Sequence, residues 1–135
     1  MRFFHVFAAV LTFAVAAQPA YAFTSRNGAR VNQVDAAVFE VVPRGASNGP
    51  DIWCAASEYA RMQLGASWSA EIFVVRGRGP SVTTNRRTAV QFTLDPAAAG
   101  VTPSGGSISL NSLKAGEHMS VQLANTQCNV PFGRF

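Results

Sequence analysis

Four arginines crowd into twelve residues of this chain, Arg76-Gly77-Arg78-Gly79-Pro80-Ser81-Val82-Thr83-Thr84-Asn85-Arg86-Arg87. A guanidinium is a planar, permanently charged fork of N–H donors that matches carboxylate, sulfate and phosphate oxygens. If the strands flanking this segment pair as a hairpin, Arg76 and Arg78 meet Arg86 and Arg87 at one end of a sheet. Gly77 and Gly79 would let backbone N–H groups approach an anion, and Ser81, Thr83, Thr84 and Asn85 add neutral hydrogen-bonding groups. The chemistry this spacing points to is recognition of a phosphorylated, sulfated or carboxylated ligand. The alternative is a solvated loop whose arginines pair with Asp95, Glu71 or Glu40. The segment lacks the G-x-x-x-x-G-K-[ST] order of nucleotide-binding loops. No aromatics interleave with its basic residues as stacking platforms, so nucleic acid is not the expected partner.

The remaining reactive residues are few. Cys54 and Cys128 are the two cysteines, with no C-x-x-C between them, and an even count in an exported chain reads first as a disulfide. Such a bond would close a loop of about 75 residues, worth roughly 4–5 kcal/mol in the chain-entropy account. His118 stands alone once His5 is set aside with the leader described below, and it falls on the polar face of a strand pattern. The seven carboxylates are scattered, and no His/Cys/Asp/Glu group has metal-ligand spacing. Glu58 and Arg61 form an i, i+3 pair on a helix pattern, and no G-x-S-x-G occurs. No catalytic residue, metal or cofactor is therefore expected. Trp53 falls on a helical apolar stripe as a core residue, while Tyr59 and Trp68 flank the helix end.

Those residues must be positioned by a small fold. Residues 1–22 have the three parts of a secretory signal peptide: Arg2, an apolar stretch over 3–17, then Pro19 and Ala20-Tyr21-Ala22 before cleavage at Phe23. The apolar stretch is shorter than a membrane-spanning helix needs, and no second such run follows, so no membrane span is expected after cleavage. Without the leader, ten basic residues face seven acidic ones, a mild excess. Residues 23–135 then make one domain with one modest core.

Residues 23–33 read as a mobile lead-in, 34–42 as a buried strand and 43–50 as a loop with two prolines and two glycines. A helix is expected over about 50–64, opened by Pro50 and Asp51 and stopped by Gly65, with Trp53, Ala56, Ala60 and Leu64 on one face. Strands are expected at 71–75 and 88–94, then a long loop over 95–106 with one helical turn opened by Asp95-Pro96. Two more strands, one around Ile108 and Leu110 and one through Met119, Val121 and Leu123, would pair about a turn at 114–117. The expected fold class is α+β, one helix packed on a mainly antiparallel sheet of about five strands.

The stretch DIWCAASEYARMQLGA, with IFVVRGRGPSVTTNRRTAVQFTLDP after it, resembles small exported proteins of unknown function from alphaproteobacteria. That resemblance implies a periplasmic or secreted location and brings no activity, ligand or catalytic residue. Three functions are expected candidates. The first is a non-enzymatic binding module contacting an anionic ligand or envelope protein through Arg76, Arg78, Arg86 and Arg87. The second is an assembly partner that pairs through a sheet edge, and the third is a small hydrolase with a site gathered from distant residues.

Overall fold

Asn48 opens the one long helix: its side-chain oxygen accepts from the backbone N–H of Asp51 at 3.1 Å, and Pro50 occupies the first turn, where its missing N–H costs nothing. The computed structural model describes residues 23–45, 48–105 and 109–129. The expected leader at 1–22 lies outside them. Within the described residues the elements are β1 (Phe23–Thr24), β2 (Arg30–Gln33), β3 (Val38–Val42), α1 (Gly49–Met62), β4 (Glu71–Gly79), β5 (Ala89–Thr93), α2 (Pro96–Ala99), β6 (His118–Ser120) and α3 (Val121–Thr126), followed by a 3-10 turn at Gln127–Asn129. The expected α+β class with a mainly antiparallel sheet holds.

The sheet has six strands in the order β1-β2-β3-β5-β4-β6, every pair antiparallel. Because β5 is antiparallel to both β3 and β4, those two run parallel with β5 between them. The segment β3–α1–β4 is therefore a split βαβ unit, with α1 as its crossover. Trp53, Ala56 and Ala60 are fully buried, and Trp53 meets Phe92 of β5 edge-on at 5.1 Å. Phe39 lies between Tyr59 at 4.8 Å and Phe92 at 5.9 Å. Val31, Val41, Ile72, Val74 and Val90 complete that layer. Leu64 lies past the helix end and is exposed, so the apolar stripe stops at Ala60.

Four expectations need correction. Residues 23–33 are not a mobile lead-in but carry β1 and β2, tied into the sheet through Val31, which is fully buried opposite Val41. The strand expected from residue 34 starts at Val38, because the Asp35 carboxylate accepts from the N–H groups of Ala37 and Val38 and closes a turn. Leu110 lies in a turn rather than a strand, with Ser112 Oγ donating to the Ser109 carbonyl; Ile108 lies outside the described residues. The last strand stops at Ser120, whose hydroxyl accepts from the Leu123 N–H and caps α3. Val121 and Ala124, three apart, then face the core while Leu123 is exposed. The helical turn after Asp95 forms as expected, with the Asp95 side chain capping Ala98 N–H.

Candidate functional site

The strand β3 is buried along its whole length, yet it has a glutamate at its centre. Phe39 and Val41 face α1, so strand alternation turns Glu40 to the opposite face of the sheet. There the connection between β4 and β5 folds over it. One carboxylate oxygen accepts from Ser81 Oγ at 2.6 Å, from Thr83 N–H at 2.8 Å and from the Thr83 hydroxyl, and the other accepts from Val82 N–H at 3.2 Å. Burial by itself pushes the Glu40 carboxyl up; the hydroxyls of Ser81 and Thr83 and the N–H groups of Val82 and Thr83 outweigh it and hold the group below its ordinary value. Thr84 N–H and hydroxyl both bond Ser81 Oγ, and Asn32 Nδ2 donates to Thr83 Oγ1 at 2.9 Å.

The loop thus does hold an anion, and that anion belongs to the protein. Ser81 and Thr83, expected to donate to a ligand, are engaged by Glu40. The arginines are not its partners.

The four arginines do not gather as one cluster. Strand β4 runs on to Gly79, with irregular register between Val74 and Arg76 and again between Arg76 and Gly79. Arg76 and Arg78 are therefore strand residues. Arg76 turns back on the sheet, its Nη2 donating to the Ala89 carbonyl at 3.2 Å, and Arg78 Nη1 donates to the Asn111 carbonyl at 2.9 Å. Arg86 goes the other way, its Nη2 donating to the Pro43 carbonyl at 3.3 Å.

At that end Arg86 meets two arginines that no local pattern in the sequence singles out. Arg30 begins β2 opposite Val42, and Arg44 follows β3 with Pro43 between them. Arg30, Arg44 and Arg86 line a depression of about 560 Å³ floored by Val42 and Pro43, with Thr84 and Asn85 beside them. Gly28, at φ +85°, forms part of its wall; a Cβ there would stand 3.1 Å from Arg44 Cδ, so the glycine makes room for the arginine stem. A second hollow of about 300 Å³ shares Pro43, Asn85 and Arg86 with the first and adds Arg87. No acidic residue lines either hollow. Among the described residues the arginine–carboxylate pair is Arg26–Glu58, so these four arginines have no carboxylate partner there.

Cys54 and Cys128 are joined, as expected from their even count, with Cα atoms 4.9 Å apart. The bond ties α1 to the 3-10 turn. The Glu58 carboxylate, nearly buried, lies 3.5 Å from one sulfur and 3.6 Å from the other and is paired with Arg26 Nε at 2.6 Å. Glu58 therefore pairs with Arg26 from the β1–β2 turn, not with Arg61. Cys54, Glu58 and Cys128 together have the proximity of a metal-ligand set. Sulfurs bonded to each other are not thiolates, and in this form they are not metal donors.

His118 Nδ1 lies 3.0 Å from Glu71 Oε2, its Nε2 lies 3.2 Å from the Ser104 carbonyl, and its ring packs on Phe73. Both ring nitrogens are thus engaged within the protein, one beside the Glu71 carboxylate and the other beside the Ser104 carbonyl. No protein family, curated protein or solved structure matches this chain.

Proposed function

We propose that this protein is a non-enzymatic binding module for an anionic ligand, periplasmic or secreted after loss of residues 1–22. The observation that carries the reading is the convergence of Arg30, Arg44 and Arg86 on one concave surface with no acidic residue in its lining. Three guanidinium groups held together without a counter-charge repel one another, and an anion bound among them removes that repulsion while accepting from their forks. Of the four arginines that stand out in the sequence, Arg76, Arg78, Arg86 and Arg87, the proposed site keeps the last two and replaces the strand pair with Arg30 and Arg44. The disulfide and the lack of a helix long and apolar enough to cross a membrane among the described residues are compatible with a secreted or soluble protein. The outermost strands, β1 and β6, are two and three residues long, which gives another chain little backbone to pair with.

The test is titration with inorganic phosphate, sulfate and heparin, followed by calorimetry and by backbone amide NMR. Arg44→Ala with Arg86→Ala should abolish binding, and Arg76→Ala with Arg78→Ala should leave it intact. Binding should weaken as salt rises, as expected for exposed charges. Unchanged affinity in the Arg44/Arg86 double variant, with an unchanged thermal midpoint, overturns the proposal.

A further inference from the structure

Between the loop that follows α1 and the helix α3 lies a third hollow, which shares no residue with the basic surface. It encloses about 290 Å³ and is lined by Trp68, Gln122, Asn125, Thr126 and Asn129. Every lining side chain is neutral, and four of the five carry an amide or a hydroxyl. Trp68 is 44 % exposed, so a large part of the indole stays open to solvent. The Arg61 guanidinium stacks 3.6 Å from its ring centroid, fixing the indole by a cation–π contact and covering one face. The Trp68 carbonyl accepts from Gln122 N–H at 3.0 Å, which locks the indole-bearing loop to the first turn of α3.

We infer that this hollow binds a neutral pyranose ring. A sugar in the gluco configuration presents a flat face of C–H bonds, slightly positive, to an aromatic ring whose face is slightly negative. Its equatorial hydroxyls, each both donor and acceptor, project from the ring edge, where they need partners that can also do both. Side-chain amides meet that need. Among the described residues the amides of Gln122 and Asn129 make no hydrogen bond across this hollow. Asn125 is aimed by its own contacts: its Nδ2 donates to Ser57 Oγ at 3.2 Å, which turns its carbonyl oxygen the other way. The absence of a charged group in the lining separates this ligand class from the anions of the basic surface.

Cellotriose and chitotriose are the probes, titrated into the intact, oxidised protein while tryptophan emission is followed. Trp53 is fully buried, so the response reports Trp68. Saturable change with a Kd on the order of 1 mM is expected for one stacked ring with a few hydrogen bonds. Trp68→Ala should remove the response in a calorimetric titration, and Gln122→Ala with Asn129→Ala should weaken binding about tenfold. Gln122 and Asn129 are exposed, so the thermal midpoint of that double variant should stay at the wild-type value. No emission change and no heat up to about ten times that concentration overturns the inference, as does undiminished binding by Trp68→Ala. The basic surface is scored separately by its phosphate titration, so either site can fail without the other.

Discussion

Replacing Glu40 with glutamine changes one atom type in a fully buried side chain, so any effect comes from charge and hydrogen bonding rather than from volume. In the wild type, Ser81 Oγ and the N–H and hydroxyl of Thr83 converge on one oxygen and Val82 N–H meets the other. A glutamine can offer its carbonyl oxygen to the first three donors, but its NH2 then faces the Val82 N–H. Charge-assisted bonds are roughly twice as strong as neutral ones, so three bonds falling from about 2 to about 1 kcal/mol lose about 3 kcal/mol. The opposed N–H groups add about 1 kcal/mol, and the smaller desolvation cost of a neutral amide returns about 1 to 2 kcal/mol. The net expectation for Glu40→Gln is a loss of about 2 to 3 kcal/mol, read by urea unfolding at neutral pH.

The pH dependence gives an independent arm to this experiment. The folded-state value of Glu40 lies below the ordinary glutamate value of 4.5, so its contribution is fully present above that pH. It fades as pH falls below 4.5 through the lowered folded value, and the gap between wild type and Glu40→Gln should close over that range. Equal unfolding free energies at neutral pH, or a gap constant down to about pH 3, refutes the idea that the ionised carboxylate holds the loop. Because that loop also carries Arg86, the same variant should bind phosphate more weakly.

Two further outcomes follow from the frame. Cys54→Ala with Cys128→Ala should lower the unfolding free energy by about 4 kcal/mol, since the bond spans 74 residues, and calorimetric unfolding of the variant checks it. Gly49→Ala should cost about 1 to 3 kcal/mol, because a Cβ at that buried helix start collides with the Leu110 backbone while Gly49 N–H is held by Asn111 Oδ1 at 2.8 Å; an unchanged urea midpoint removes the 110–111 segment from the helix N-terminus.

Local signals carried most of the helical and central-strand reading. Pro50 and Gly65 bracket α1, and the alternation around Val90 and Phe92 marks β5, because cap chemistry and period-two burial act over a few residues. β2 escapes such signals because a short strand near an edge needs only one buried side chain, Val31, among Arg30, Asn32 and Gln33. At the last strand, the alternation of Met119, Val121 and Leu123 masks the stronger signal of Ser120 as a helix cap with Val121 and Ala124 on one face. Glu40 carries its own message, since a carboxylate in the middle of Val-Phe-Glu-Val-Val must be satisfied by something. Nothing local names Ser81 and Thr83 as that partner. Arg86 and Arg87 stand out by composition, whereas Arg30 and Arg44 join them only through the pairing of β3 with β5, which brings distant stretches of chain together.

That pairing also crosses a covalent boundary. The bridge from Cys54 to Cys128 encloses β4, β5 and the loop bearing Arg86, while β1, β2 and β3, with Arg30 and Arg44, lie before it in the chain. The basic surface is therefore a seam between a closed ring and an open N-terminal arm, joined by the β3–β5 ladder and by Glu40 reaching into the ring's loop. A chain whose cysteines have paired but whose arm has not docked has only half of the arginines in place. Under the proposed function, an anion held at this seam would bond arginines from both arm and ring and so favour the docked arm, acting as a clasp across a boundary that the disulfide does not span.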